Sequence, residues 1–412
     1  MSRDGLFRKF GIELEYMLVR GDSLEVAPIA DRILQQVAGR ITNEVERGIM
    51  AWSNELALHV IEIKNSDPVP DLPMLAEKLQ QEVEELGRVA ASQGATLLPT
   101  AMHPWMDPHR ETLLWPHGDK AIYHTYNRIF NCQGHGWSNV QSTHLNLGFA
   151  TDEEFGRLHA AIRVLLPILP AIAASSPAAD GVLTGWLDTR LDYYRHNQQR
   201  IPCITGQVIP EPVFSQADYE REIYQRLRHD IAPFDPDGVL EAEWLNSRGA
   251  IARFDRNAIE IRVLDIQECP LADVSLAVLI CAVLKGLCAE RWSGLAAQKA
   301  AETGAMAEIL ARTIRDGEET VLGNREYLAL FGSKGNGAMT AGELWRELAA
   351  ECFPELAAAG HGIQQTVESM LAQGPLSRRI IRALGARPDR ERFREVYREL
   401  GKCLAQGRLF LA

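Results

Sequence analysis

The sequence reads as an α+β protein, a sheet covered by helices on one side and open on the other. Three observations carry this reading. Segments of β-strand character lie far apart in the 412-residue chain and alternate with helical patterns. Three of them have one apolar and one polar face, as strands do when only one side of a sheet is buried. Hydrophobic residues make up 46% and charged residues 24%, which excludes a disordered or fibrous chain.

Residues 10–20, FGIELEYMLVR, give the clearest strand. Ile12, Leu14, Tyr16 and Leu18 point to one side, and Glu13, Glu15 and Met17 to the other. Residues 55–64 are apolar and rich in branched side chains, so a second strand is expected there despite imperfect alternation. Asp71 is expected to open a helix in which Leu75, Leu79, Val83, Leu86 and Ala90 form one apolar stripe, ended by Gly94. A short strand at 95–100 follows. Residues 105–138 are rich in His, Trp, Gly and Asn without a period, and read as a long loop of the kind that often carries function.

Residues 139–150 form the next strand, with Leu145, Leu147 and Phe149 on one face and Ser142, His144 and Asn146 on the other. Thr151 and Glu154 make a capping box for a helix to about residue 174. Residues 175–250 read as irregular, with a helix at 216–230. In the strand at 257–266, Ile259, Ile261 and Val263 oppose Glu260 and Arg262. After Cys269-Pro270 the pattern is mostly helical, interrupted by GSKGNG at 332–337, which reads as a plain surface loop.

Acidic residues outnumber basic ones by 55 to 43, giving a formal net charge of −12. That balance argues against broad nucleic-acid binding, but not against a phosphate-bearing substrate at a metal site. The 7 cysteines show no C-x-x-C pair, and free buried thiols in a reducing compartment are expected. The start, MSRDGLFRKFG, lacks the apolar core of a signal peptide. The most apolar stretch, Val274 to Leu284, is far shorter than the roughly 20 residues of a membrane span. A cytoplasmic protein without a membrane partner is expected.

The residues that can carry chemistry are Glu13, Glu15, Glu55, Glu62, His144, Asn146, Glu260 and Arg262. Successive same-face residues of a strand lie roughly 6.5–7 Å apart, so Glu13 and Glu15 present two carboxylates side by side. If the strands pair, Glu62, His144 and Glu260 join them. Two like charges at 4 Å repel by on the order of 4 kcal/mol at an effective dielectric of 20, so a cation is expected among them. Carboxylate oxygens suit hard divalent ions, and magnesium keeps positions open for phosphate oxygens. Arg262, beside Glu260, could meet a phosphoryl group with its planar fork of donors. The same alternation also describes a solvated face, and the residues alone point to a metal site on an open sheet without naming a reaction. P-loop, H-E-x-x-H and G-x-S-x-G motifs are absent.

Six segments in order, from about residue 10 to 290, resemble the glutamate–cysteine ligases, in particular family 2, the bacterial carboxylate–amine ligase branch. They are G-I-E-L-E-Y at 11–16, N-E-L-A-L-H-V-I-E-I at 54–63 and A-M-H-P-W at 101–105. T-H-L-N-L-G at 143–148, S-S-P-A-A-D-G-V-L-T-G-W-L-D-T-R at 175–190 and I-E-I-R-V-L-D at 259–265 complete the set. The resemblance implies a curved antiparallel sheet with helices on its outer face, like glutamine synthetase and the guanidino kinases. It implies a catalytic domain at 1–294, with irregular regions at 105–138 and 175–250, and a helical region at 295–412 packed on the sheet.

The resemblance also implies ATP-dependent amide formation, of glutamate–cysteine ligase type and so of glutathione biosynthesis, through an acyl phosphate. ATP and two or more Mg2+ ions, or Mn2+, would be the cofactors, and glutamate with an amine such as cysteine the substrates. Carried over, Glu13, Glu15, Glu55, Glu62, His144 and Glu260 match metal-holding positions, and Arg262 with Glu260 the catalytic ones. Arg190 matches an arginine for an amino-acid carboxylate, and Asn146 is a substrate ligand or orienter. His103, before Pro104, reads as structural. Asn257-Ala258-Ile259 and Lys64-Asn65-Ser66 depart from the commoner pattern, which leaves the amine and the adenine contacts open. A phosphotransferase to a guanidino or other nitrogen, a non-catalytic nucleotide or amino-acid sensor, and a homo-oligomeric state also stay open.

Overall fold

The spine of the fold is β1 (Phe10–Arg20), whose inward face of Ile12, Leu14, Tyr16 and Leu18 is fully buried. The computed structural model describes residues 5–333 and 337–411. Around β1 lie β2 (Glu44–Arg47), β3 (Met50–Asn54), β4 (Val60–Asn65), β5 (Ala95–Leu98), β6 (Ser142–Gly148), β7 (Ala250–Arg253) and β8 (Ala258–Asp265). They form one eight-stranded sheet in the order β2-β3-β4-β1-β6-β8-β7, with β5 also paired to β1. Every pairing in it is antiparallel. The mixed architecture and the antiparallel sheet agree with the sequence reading.

The inward face is covered by α1 (Ala30–Ala38), α2 (Met74–Ser92), α3 (Asp152–Leu165) and α4 (Pro270–Cys288), whose apolar residues share one cluster with β1. The stripe Leu75, Leu79, Val83, Leu86 and Ala90 is the buried face of α2. The helix α4 is long and apolar enough to cross a membrane, but 89% of it is buried inside the protein. It is the core helix, tied to β6 where Thr143 Oγ1 donates to Asp273 Oδ1 at 2.5 Å.

The other face is not open along its whole length. Met17 and Val19, two and four residues beyond Glu15 on the same side, are fully buried. They pack with Leu98, Trp105 and Met106 under α5 (Leu376–Leu384) and α6 (Arg390–Gln406). Only the Glu13–Glu15 end of the face remains free for chemistry.

Several local expectations are corrected. Of the strand expected at 55–64 only the part from Val60 onward is strand, in β4; β3 ends at Asn54, before that segment, and Glu55 lies in the connection between the two. Strands β2, β3 and β7 had too short an apolar signal to be read. The expected loop at 105–138 contains helices at Pro108–Glu111, Lys120–Phe130 and His135–Ser138. The irregular region 175–250 includes, besides the expected helix near 216–230, short helices at Thr189–Tyr194 and Ala242–Leu245. The helix after Thr151 stops at Leu165, because Pro167 and Pro170 break the chain into a short 3-10 turn and a further short helix. Thr151 caps α3 through the Glu154 N–H, while the Glu154 carboxylate turns to the Ala150 N–H, so the box is not reciprocal. Of the glycine-rich loop at 332–337, residues 334–336 lie outside the described residues. All seven cysteines are free and buried.

Candidate active site

Strand register assembles the site. Glu13 lies opposite His144 on β6 and Lys64 on β4, and Glu15 lies opposite Glu62. Asn146 lies opposite both Gly11 and Glu260. A Cβ at Gly11 would sit 3.0 Å from the Asn146 Cβ, so glycine lets these strands close with Asn146 between them. In β8 the register slips between Ile261 and Leu264, an extra residue at the position of Arg262 and Val263. Such a bulge bends its strand and re-aims a side chain, here Arg262.

His144 is the hub. Its Nδ1 lies 3.0 Å from Glu13 Oε2 and 3.7 Å from Glu260 Oε1, and its Nε2 is 3.0 Å from Ser142 Oγ. The single Ser142 hydroxyl hydrogen goes to Glu15 Oε2 at 2.9 Å, so Ser142 accepts from His144. Both ring nitrogens thus face acceptors, which is the environment of an imidazolium. Burial opposes that charge, but the bond to Glu13 and the nearby Glu15 outweigh it and push the His144 pKa up to about 9. Glu13 responds in kind: burial works against its charge, yet His144 and Lys64 hold it well below the usual carboxylate range.

The remaining acids are crowded. Burial and the charges of Glu15 and Glu62 push the Glu55 carboxyl well up. Burial and Glu13 push Glu62 up to about 7, against the pull of Lys64. Glu260 lies 3.2 Å from Arg262 Nε and 3.5 Å from Arg253 Nη1.

The donor set fits a divalent ion. One ligand atom each from Glu13, His144 and Glu260 lie within 4.8 Å of one another. Two carboxylates with one imidazole suit magnesium or manganese through oxygen, with the ring nitrogen as the third donor. Among the described residues this is the group close enough to do so; Glu15, Glu55 and Glu62 border it.

Two adjoining chambers meet over these residues. The first, about 420 Å³, is walled by Glu13, Glu15, Glu55, Glu62, His144 and Glu260, with Lys64, Arg253, Arg256 and Arg262 among them. The second, about 210 Å³, is walled by Tyr123, Tyr126, Trp137, Tyr194 and Trp244, with Arg190 and Gln198. Glu15, Glu55, His144 and Arg262 border both.

The two residues expected to bind substrate are placed differently from each other. Arg190 is in the wall of the second chamber but is itself buried, with Nε donating to Asp265 Oδ1. Its two terminal nitrogens make only 3.5 Å contacts to the Arg262 carbonyl, so half of the fork remains for a carboxylate. Asn146 is not among the residues walling either chamber, and its amide donates to Glu13 Oε1 at 3.0 Å. His103 is structural, as read: its Nε2 meets the Leu24 carbonyl at 2.7 Å.

The residues that sequence reasoning missed are Lys64, Ser53, Ser142 and Arg253, and the aromatic wall. Lys64 was findable, since it shares a strand face with Glu62 two residues earlier. Ser53 and Arg253 sit on the unread strands β3 and β7, and Tyr123 and Tyr126 on a helix taken for a loop.

Comparison with known proteins gives the class, a carboxylate–amine ligase of glutamate–cysteine ligase-like type. The model of glutamate–cysteine ligase family 2 matches residues 9–399, and the chain belongs to that family, whose members are ATP-dependent ligases that form an amide bond. An uncharacterized protein of Archaeoglobus fulgidus is 40% identical over 270 residues, covering 65% of this chain and 72% of the other. A putative glutamate–cysteine ligase 2 of Salinispora tropica is 27% identical over 292 residues, covering 70% of this chain and 69% of its own. Among solved structures, Francisella tularensis glutamate–cysteine ligase in complex with AMP superposes with a TM-score of 0.59 at 14% identity, covering 98% of this chain and 90% of that one. A bifunctional glutathione synthetase from Pasteurella multocida gives 0.60 at 15% identity, covering 97% and 53%. Likeness at such identities speaks for the fold alone.

Proposed function

We propose that the protein joins the γ-carboxylate of glutamate to the amine of a second amino acid, cysteine in the simplest case, at the expense of ATP. ATP phosphorylates the carboxylate, the amine attacks the resulting acyl phosphate, and phosphate leaves as the amide forms. Magnesium, when bound by Glu13, His144 and Glu260, supplies charge neutralisation at the phosphates. His144 must be neutral to lend a nitrogen lone pair, and Glu15 and Ser142 keep its ring oriented. Arg262, bordering both chambers, meets the phosphoryl group as it passes from nucleotide to carboxylate. The free edge of the Arg190 guanidinium takes the carboxylate of an amino acid in the aromatic chamber.

The observation that carries this reading is the meeting of a carboxylate chamber and an aromatic, arginine-bearing chamber at Arg262. In the same proposal residues 1–294 carry the chemistry and 295–412 pack on that sheet, with 376–410 closing one end of the site face. Seven buried free thiols fit a reducing compartment such as the cytoplasm.

The test is to incubate the protein with ATP, magnesium, glutamate and a panel of amines, measuring phosphate release and product mass. Amine-dependent release with a new amide is expected. A stable phosphorylated amine without amide, or no amine-dependent release across the panel, would overturn it.

A further inference from the structure

The carboxylate face already contains a cation of its own. Glu62 and Lys64 alternate on β4 and so share the site face. The Lys64 ammonium lies 2.8 Å from Glu62 Oε1, 3.0 Å from Ser53 Oγ and 3.1 Å from Glu44 Oε2. An ammonium has three hydrogens, and these three acceptors use them all, so none is left for a phosphate oxygen. Glu62 Oε1 also accepts the Ser53 hydroxyl at 2.6 Å. The pair is shielded, with side-chain exposures of 26% for Lys64 and 7% for Glu62, so solvent does little to weaken it. The Glu13, His144 and Glu260 donors converge without Glu62.

We propose that Lys64 is a built-in cation standing where a divalent ion would otherwise sit at Glu62, so that ions are held at the Glu13–His144–Glu260 end alone. The inference rests on the ligase reading of that cluster and deepens it. A divalent ion bound at Glu62 Oε1 would have to displace the Ser53 and Lys64 hydrogens and would face a fixed positive charge. Lys64 therefore acts as a positioning residue. It neutralises Glu62, anchors Ser53 on β3 and Glu44 on β2, and directs incoming ions toward His144.

The test counts Mn2+ bound to the full chain by equilibrium dialysis and electron paramagnetic resonance, without nucleotide. Wild type is expected to bind Mn2+, Glu260→Gln to weaken it at least tenfold, and Glu62→Gln to change its affinity less than twofold. Lys64→Met should gain one Mn2+ per chain, which the double variant Lys64→Met/Glu62→Gln loses. Thermal melting checks that each variant is folded; if Lys64→Met does not fold, the isosteric Glu62→Gln measurement decides alone. The inference is overturned if Glu62→Gln removes an ion or weakens binding tenfold, or if folded Lys64→Met gains none. Wild type that binds no Mn2+ would overturn the ligase reading of the cluster as well; Mn2+ lost in both Glu260→Gln and Glu62→Gln would overturn the Lys64 inference alone.

Discussion

Along one side of β1 the side chains run Glu13, Glu15, Met17, Val19, and the two halves of that short row have opposite fates. At the first half the face carries buried acids, His144 and Arg262 around a cavity. At the second half it is a dry core under α5 and α6, with Trp105 edge-on to Phe393 and Tyr397 at ring separations of 6.4 and 6.3 Å. One buried histidine marks each end. His144 sits among carboxylates and is pushed up to about 9, whereas burial drives His103, packed 4.8 Å from Trp105, down to about 3. The same strand geometry thus makes a reactive surface or a hydrophobic seal, according to what the side chains at alternate positions can tolerate beside them.

Breaking the charged end should have the largest effect. Glu13→Gln and Glu260→Gln each remove a carboxylate from the ion-binding group, and turnover is expected to fall by more than about 100-fold, beyond the loss typical of an outer-shell partner. Steady-state assays with far-ultraviolet circular dichroism check this. Near-wild-type rates from both variants would remove the assignment.

Breaking the apolar end should move stability and leave the chemistry alone. Phe393 is fully buried, and Phe393→Ala is expected to cost about 3–5 kcal/mol in urea unfolding. If turnover per folded molecule fell as far as in Glu13→Gln, the two ends would not be separable.

The smallest effect sharpens the contrast between the histidines. His103 is buried with its pKa lowered to about 3 against an ordinary value of 6.5, so the unfolded chain takes up a proton that the folded one refuses. Its stabilisation is complete above pH 6.5 and declines as pH falls toward 3, by about 1.4 kcal/mol per pH unit. Urea unfolding at pH 6.5, 5.5 and 4.5 should give a steeper slope for wild type than for His103→Gln. Equal slopes would mean that His103 is not held neutral.

Much of this was legible in the chain. Glu13, Glu15, His144 and Glu260 announce a shared face through strict alternation, and the ordered motifs announce the family. Glu55 and Glu62 were legible as chemistry but not as geometry, because the segment from 55 to 64, rich in apolar residues on both sides of His59, conceals the connection that joins β3 to β4. Strands of four or five residues such as β2, β3 and β7 carry too few alternations to stand out from loops, so Ser53 and Arg253 stayed hidden.

Which face each side chain joins is a local matter, set by the two-residue period of an extended backbone, and the amino-acid order alone determined it for Glu13, Glu15, Glu260 and His144. Which partner satisfies each charge is not local. Arg190 meets Asp265 across 75 residues, Lys64 meets Glu44 on a strand with little signal of its own, and residues 376–410 close one end of the site face. Those outcomes depend on strand register and on where distant helices dock, and only the tertiary structure decided them, because Coulomb and packing energies follow distance in space and not separation along the chain.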